Sequence, residues 1–168
     1  RIDHVRVALG HTHTSPEQLL RAMDAGATLC THLGNGIFAT LPRHPNPIWT
    51  QLADDRLTAG FIGDGHHLPP DTLTAMVRAK GPGRRFLVSD SVALAGSAPG
   101  VYQQPVGGAV ELHENGRLTL SGTPLLAGSA VNLAEVVAYT LTHTPIDLNT
   151  VVEMASETPA RIIGDPTL

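Results

Sequence analysis

Residues 27–36 read ATLCTHLGNG, an apolar run that ends in a histidine and opens at once into a Gly-Asn-Gly turn. The same order of features occurs at three other places, where a short apolar run is followed within a few positions by His or Asp. The four runs are 5–9, 27–31, 57–62 and 86–88, and the polar residues that follow them are His11, His32, His67 and Asp90. Short, nearly continuous apolar runs are typical of strands buried on both faces of a parallel sheet.

Helical patterns lie between the first and second of these runs and between the third and fourth. Ser15-Pro16-Glu17-Gln18 has a serine for the N-cap, a proline for the first helical position and a glutamine that completes a capping box. A second helix is predicted from about Pro70 to Gly81, with its apolar residues on one side. Strands that alternate with helices predict an α/β fold with right-handed crossovers.

The last third of the chain has a different pattern. Two short runs, 109–112 and 117–120, flank an Asn-Gly pair and predict a β-hairpin. The preceding segment 97–108 is rich in Gly, Pro and Gln, so it is predicted to be a surface loop. Apolar helices are predicted over 130–142 and from 147 onward.

In a barrel or a doubly wound sheet, functional groups gather at the carboxyl ends of the parallel strands. Here those ends offer three histidines and one aspartate, His11, His32, His67 and Asp90. Neutral imidazoles bind zinc or iron, and a neighbouring carboxylate can move the proton of an attacking water, so the set suits a metal-dependent hydrolase. The alternative is that each histidine is structural and hydrogen-bonds a nearby loop, which is the usual role of a lone histidine at a strand end.

Composition excludes several classes of function. The formal net charge is −4 over 168 residues, so there is no basic field for nucleic acid or an anionic membrane. No apolar run approaches the roughly 20 residues that cross a bilayer. The single cysteine, Cys30, cannot form an internal disulfide; it suggests a reducing, cytoplasmic compartment and is expected to be a small core residue. The chain begins at Arg1, inside a strand-like pattern, which suggests a partial sequence.

Six motifs together resemble those of N-acetylglucosamine-6-phosphate deacetylases, of the amidohydrolase superfamily, and occur in the same order. They are LGHTHTS (9–15), THLGNG (31–36), DGHH (64–67), LVSD (87–90), LAGS (126–129) and ETPARIIG (157–164). The resemblance implies the C-terminal strands and helices of a (β/α)8 barrel over residues 1–164, with a hairpin insertion near 109–120 and a tail at 165–168. It also implies hydrolysis of the N-acetyl amide of an amino-sugar phosphate, within carbohydrate metabolism.

The resemblance also implies roles for individual residues. His11 and His32 match two ligands of a divalent metal, zinc or else iron. Asp90 matches the general base that acts on the attacking water and then as the acid toward the leaving amine. The remaining matches bind substrate. Asn35, Gly36 and Arg43 match residues that bind the phosphate. His67 matches a histidine that contacts the sugar, and Asp64, Gly65 and His66 form the rest of its loop, while Leu126, Ala127 and Gly128 match a loop that lines the pocket. In dimeric members of the family the arginine that Arg43 matches can come from the neighbouring subunit.

Several positions depart from the family pattern. Gly34 and Gly36 replace bulkier residues, His66 is an extra histidine, and PRHPNPIW (42–49) replaces the usual phosphate-loop sequence. The third metal ligand of the family, a glutamate, lies upstream of anything in this chain, and a complete barrel needs about 250 residues. We therefore expect association with the missing barrel half or with a second copy.

Two other functions remain open at this point. The chain could belong to an amidohydrolase that acts on a different amide, such as a cyclic amide or an acyl amino acid. It could also be a non-catalytic half-barrel that only binds a ligand or a partner chain.

Overall fold

The structure, a computed structural model, describes residues 5–105 and 107–164, and in it the four apolar runs form a single parallel sheet. The strands are β1 (Ala8–Leu9), β2 (Leu29–Cys30), β3 (Thr58–Ile62) and β4 (Arg85–Val88), and they lie side by side in chain order. Every neighbouring pair is parallel, which confirms the predicted α/β fold. The carboxyl ends of all four strands therefore lie at the same end of the sheet, where they are followed by His11, His32, the 64–67 segment and Asp90. The predicted tail, 165–168, lies outside the described residues.

The sheet stays open in the part of the chain that the structure describes. Strands β1 and β4 form its two edges. On one face, Cys30, Ala59, Phe61 and Leu87 are buried in the main hydrophobic cluster. On the other face Phe86 lies across Gly60, and a Cβ at Gly60 would come within 2.8 Å of the Phe86 ring.

Helices cover the buried face. They are α1 (Pro16–Asp24), α2 (Pro47–Ala53), α3 (Pro70–Lys80), α4 (Leu133–His143), α5 (Leu148–Val152) and α6 (Thr158–Ile163), with a π-helical turn at Glu153–Glu157 between the last two. The predicted capping box of α1 is present: Gln18 N donates to Ser15 Oγ at 3.3 Å, and Ser15 N donates to Gln18 Oε1 at 2.8 Å. Helix α2 was not predicted, because the prolines that surround its N-cap, Asn46, are typical of a loop.

Three strands near the C-terminal end form a separate antiparallel sheet. These are β5 (Gly100–Gln104), β6 (Gly108–Leu112) and β7 (Leu118–Leu120), in that order. The predicted hairpin is confirmed as β6 and β7. The predicted loop over 97–108 is wrong in part, since it contains β5. That strand forms because its backbone pairs along the whole of β6, from Gly100 opposite Leu112 to Gln104 opposite Gly108, although its side chains carry no apolar alternation.

The two sheets meet where the chain leaves β4. Val92 N donates to the carbonyl oxygen of Ser129 at 2.9 Å, and Ser129 N donates to that of Asp90 at 3.4 Å, so Ser91 and Ser129 form a short parallel bridge. This bridge holds Ser129, which follows Leu126–Gly128, beside Asp90 and Ser91, which follow β4.

Cys30 is a free, fully buried thiol, as predicted. Burial raises the pKa of Cys30 to about 12, so the thiol is protonated and has a packing role. Among the described helices, none has the length and the apolar character that crossing a membrane requires.

Candidate metal and substrate site

The imidazoles of His11 and His32 meet at the carboxyl ends of β1 and β2. Their Nε2 atoms lie 3.0 Å apart, although the residues are 21 positions apart in the sequence. The rings are nearly perpendicular, at 85°, with centroids 4.7 Å apart. The structure thus brings the two predicted metal ligands together, each with the same ring nitrogen directed at a shared point.

Three residues that follow the carboxyl ends of the parallel strands have a left-handed backbone. The φ angles are 44° for His11, 31° for His32 and 52° for Asp90, and they are the only non-glycine residues with positive φ among 5–105 and 107–164. Such a conformation costs about 1–3 kcal/mol per residue and persists where the surrounding structure imposes it, most often at functional sites. All three are residues to which the motifs assign metal binding or proton transfer.

The Gly-Asn-Gly turn packs directly against these histidines. Asn35 N donates to the carbonyl oxygen of His32 at 3.0 Å, which closes the turn. Gly36 has φ 62°, and a Cβ there would lie 2.6 Å from His11 Nδ1. The absent side chain at position 36 therefore leaves room for the imidazole of His11.

His13 fixes the far end of the same turn. Its ring stacks on Phe38 with centroids 3.6 Å apart, and Phe38 N donates to His13 Nδ1 at 3.2 Å. No pattern in the sequence indicated Phe38 as the partner of His13. The turn that carries Asn35 and Gly36 is thus held between residues that follow β1 and β2.

The donor set fits a divalent cation. Two Nε2 atoms bound tetrahedrally to zinc at about 2.0–2.1 Å would lie about 3.3 Å apart, close to the separation found here. The buried Nδ1 of His32 has no hydrogen-bond partner among the described residues. No group of three or more His, Cys, Asp or Glu side chains in ranges 5–105 and 107–164 is arranged to hold a metal. The described chain therefore offers a pair of ligands, one or two fewer than a complete site.

Asp64 organises the loop that follows β3. Its Oδ1 accepts hydrogen bonds from His66 N at 2.8 Å and His67 N at 2.9 Å, and its Oδ2 lies 2.7 Å from His67 Nδ1. Burial raises the pKa of Asp64, but the hydrogen bonds from His67 and His66 outweigh that effect and hold its pKa below the usual value of an aspartate. An ionised carboxylate only accepts, so the proton of neutral His67 lies on Nδ1 and its Nε2 carries a lone pair.

The same loop contacts two distant elements. A Cβ at Gly65, where φ is 77°, would lie 2.3 Å from the Tyr139 ring of α4. His66 Nε2 lies 3.2 Å from the carbonyl oxygen of Asn115, in the turn between β6 and β7. Neither Tyr139 nor Asn115 was predicted, because contacts between residues so far apart in sequence leave no local pattern.

Asp90 is exposed at the end of β4, beside the predicted pocket loop. Leu126, Ala127 and Gly128 lead into Ser129, whose N–H binds the Asp90 carbonyl. Gly128 has φ 102°, and a Cβ there would lie 2.6 Å from Val92 Cγ1. The structure therefore brings the Leu126–Gly128 loop beside Asp90 and Val92, which follow β4.

Arg43 lies in the exposed segment between the Gly-Asn-Gly turn and α2. The side-chain amide of Asn46 donates to the carbonyl oxygens of Pro42 at 3.1 Å and Arg43 at 3.4 Å, which fixes the backbone here. The guanidinium forms no hydrogen bond or ion pair with any other residue in the described part of the chain. Its predicted phosphate role stays a prediction.

The sequence is similar to those of curated sugar-phosphate deacetylases. An N-acetylgalactosamine-6-phosphate deacetylase from Shewanella sp. (strain ANA-3) is 35% identical over 168 residues, covering 96% of this chain and 40% of the relative. An N-acetylglucosamine-6-phosphate deacetylase from Bacillus subtilis is 30% identical over 162 residues, covering 96% and 40%. The chain thus spans about 40% of the length of these relatives. No family profile matches it.

A solved structure shows the same similarity. N-acetyl-D-glucosamine-6-phosphate deacetylase from Mycobacterium smegmatis superimposes with a TM-score of 0.87 at 32% identity, covering 96% of this chain and 43% of that one. A mutant of that enzyme in complex with N-acetyl-D-glucosamine-6-phosphate gives 0.86. The class defined by these relatives is that of enzymes that deacetylate amino-sugar 6-phosphates. Within it, the resemblance to the N-acetylglucosamine-6-phosphate deacetylase family that the six motifs predicted is confirmed.

Proposed function

We propose that this chain supplies the metal-binding and proton-transfer part of a deacetylase of N-acetylated amino-sugar 6-phosphates. The observation that supports this most directly is the 3.0 Å approach of His11 Nε2 and His32 Nε2 at the carboxyl ends of adjacent strands. The names of the similar proteins supply the substrate class.

We further propose that residues 1–164 form the C-terminal strands and helices of a (β/α)8 barrel. The support is a parallel sheet of four strands in chain order, helices packed on one face and two edges that are open within the described residues. Buried parallel sheets are normally covered on both faces. The remaining barrel strands, or association with another chain, would pair these edges; a homodimer would also allow Arg43 to reach a neighbouring site.

His11 and His32 would hold a divalent metal, zinc or iron, together with a ligand from outside this chain. When bound, the metal polarises the amide carbonyl and makes water a better nucleophile at neutral pH. The protein's own contribution is orientation: Gly36 leaves room for the His11 ring, and the left-handed backbone at both histidines sets the direction of their side chains.

Asp90 would move the protons. As general base its carboxylate takes a proton from the attacking water, and it then returns that proton to the amine as the C–N bond breaks. Asp90 is exposed where the chain leaves β4, so its carboxylate is accessible to solvent water.

The loops around these residues would bind the sugar phosphate. Asn35 N already donates to the His32 carbonyl oxygen, so the groups that would bind the phosphate are the Gly36 N–H, the second proton of the Asn35 side-chain amide and the bidentate guanidinium of Arg43. His67, with the proton on Nδ1, can accept a hydrogen bond from a sugar hydroxyl at Nε2. Asp64, Gly65 and His66 complete that loop, and Leu126, Ala127 and Gly128 line the pocket.

Two other functions predict different results from the same protein. An amidohydrolase of another amide would bind metal but leave N-acetylated sugar phosphates intact. A non-catalytic half-barrel would bind no stoichiometric metal, and chelators would not change its stability. A cytoplasmic location also stays a prediction.

The test combines metal analysis with amine release from N-acetylglucosamine 6-phosphate and N-acetylgalactosamine 6-phosphate. We expect one divalent metal per active site and a fall of about 100-fold or more in kcat for Asp90→Asn at unchanged metal content. Full rate in Asp90→Asn would show that another group is the base. Stoichiometric metal without amine release from either substrate would favour the different-amide function.

A further inference from the structure

The turn between the two hairpin strands is joined to the loop that follows β3. His66 Nε2 lies 3.2 Å from the Asn115 carbonyl oxygen, 49 residues away in sequence. A carbonyl oxygen only accepts hydrogen bonds, so Nε2 carries a proton and donates it. Among the described residues, Nε2 is the ring nitrogen of His66 that has a partner, and that partner belongs to the turn of the antiparallel sheet.

The His66 side of this hydrogen bond is held firmly. Asp64 Oδ1 accepts from the N–H groups of both His66 and His67 at 2.8 and 2.9 Å. The Tyr139 ring packs against Gly65 from α4, where no side chain larger than hydrogen fits. Because the loop is held by Asp64 and by Tyr139, the hydrogen bond from His66 holds Asn115 in a fixed position relative to this loop.

The Asn115 side is rigidly connected to strand β7. His113 N donates to the Arg117 carbonyl oxygen at 2.9 Å, and Arg117 N donates to Asn115 Oδ1 at 3.1 Å, so the turn is closed twice. Strand β7 begins at the next residue, Leu118.

Strand β7 in turn holds the pocket loop. Ala127 N donates to the Leu118 carbonyl oxygen at 3.1 Å, and Leu120 N donates to that of Leu125 at 2.9 Å. Leu126 pairs with Thr119 in an antiparallel bridge. A displacement of the turn would therefore displace Leu126 and Ala127.

We propose that His66 is a positioning residue: through Asn115 and β7 it fixes the Leu126–Gly128 loop at the substrate pocket. Its effect on catalysis rests on the proposed function, but the structural connection does not. The imidazole acts on the protein's own turn, so its role differs from the direct sugar contact that the resemblance assigns to its neighbour, His67.

The proposal is tested with His66→Leu, which removes the donor, and His66→Gln, whose amide N–H reaches about as far as His Nε2. Amide hydrogen exchange by mass spectrometry is compared for all three proteins. For His66→Leu we expect faster exchange in peptides from 113–128 and wild-type exchange in β3 and α3. We also expect KM for N-acetylglucosamine 6-phosphate to rise about tenfold with kcat within about twofold. His66→Gln should restore both.

Wild-type exchange over 113–128 in His66→Leu would overturn the proposal, and so would altered exchange with unchanged KM. An imidazole that contacts the sugar directly would raise KM in both variants while leaving exchange over 113–128 unchanged. If His66→Leu exchanges fast everywhere, His66→Asn, whose shorter amide cannot reach Asn115, is the variant to measure. If the wild-type protein releases no amine, the proposed function fails, and the exchange data still decide whether His66 holds the turn.

Discussion

The Asp64 carboxylate holds the His67 ring through a 2.7 Å contact between Oδ2 and Nδ1, while its other oxygen binds the backbone of the same loop. Both side chains are nearly inaccessible, with 1% of Asp64 and 8% of His67 exposed. One carboxylate thus sets the shape of the loop and the tautomer of the histidine that we place at the sugar.

The first prediction concerns that tautomer. Asp64→Asn keeps the shape and can still accept the backbone hydrogen bonds, but its amide group donates to His67 Nδ1 and moves the ring proton to Nε2. We expect KM for the sugar phosphate to rise about tenfold, because Nε2 then no longer accepts from a hydroxyl. Steady-state kinetics measure it, and Asp71→Asn, on the exposed start of α3, is the control. Equal KM values in wild type and Asp64→Asn would remove His67 from the sugar site.

The second prediction is a pH dependence of stability. The folded-state pKa of Asp64 lies below its unfolded value, so its contribution is present above about pH 4 and is lost as pH falls through the folded pKa. The difference in unfolding free energy between wild type and Asp64→Asn should therefore shrink from pH 6 toward pH 3. Urea denaturation at several pH values measures this difference. A difference that grows on acidification would contradict the assigned sign.

The third prediction concerns the metal. His32→Gln removes the buried Nε2 donor, whereas His143→Gln changes an exposed histidine on α4. We expect His32→Gln to lose stoichiometric metal and His143→Gln to keep it. For the wild type, a metal at 100 times its Kd stabilises the fold by about 2.7 kcal/mol, so a chelator should lower Tm by several degrees. Identical metal content in all three proteins would place the cation elsewhere.

The fourth prediction tests a buried charge that the sequence did not reveal. Lys80 is 1% exposed, and its Nζ donates to the carbonyl oxygens of Gln51 at 2.9 Å and Asp54 at 2.7 Å, at the end of α2. Lys80→Met would leave both oxygens without this donor and should destabilise the protein by about 2–4 kcal/mol. Arg78→Met, on the exposed side of the same helix, should change stability by less than about 0.5 kcal/mol. Chemical denaturation measures both, and equal effects would show that α2 does not depend on Lys80.

Local patterns predicted the parallel sheet and helix α1. The strands could be predicted because buried strands need continuous apolar runs, and α1 because Ser15 and Gln18 form a capping box within four residues. Strand β5 could not be predicted from 97–108, since it forms through backbone pairing with β6 and its side chains show no alternation. Helix α2 was hidden by prolines that favour loops when viewed locally.

The sequence by itself determined which polar residues end the parallel strands, and the resemblance implied that His11 and His32 bind one metal. Only the tertiary structure decided how those side chains are directed: the left-handed backbone at His11, His32 and Asp90, and the contact of Gly36 with the His11 ring. It also decided which distant groups hold the loops, as Asn115 does for His66. The physical reason is that local hydrophobic patterning determines which segments form strands and which residues follow them, whereas strand order, backbone strain and contacts between remote residues arise only when the whole chain packs.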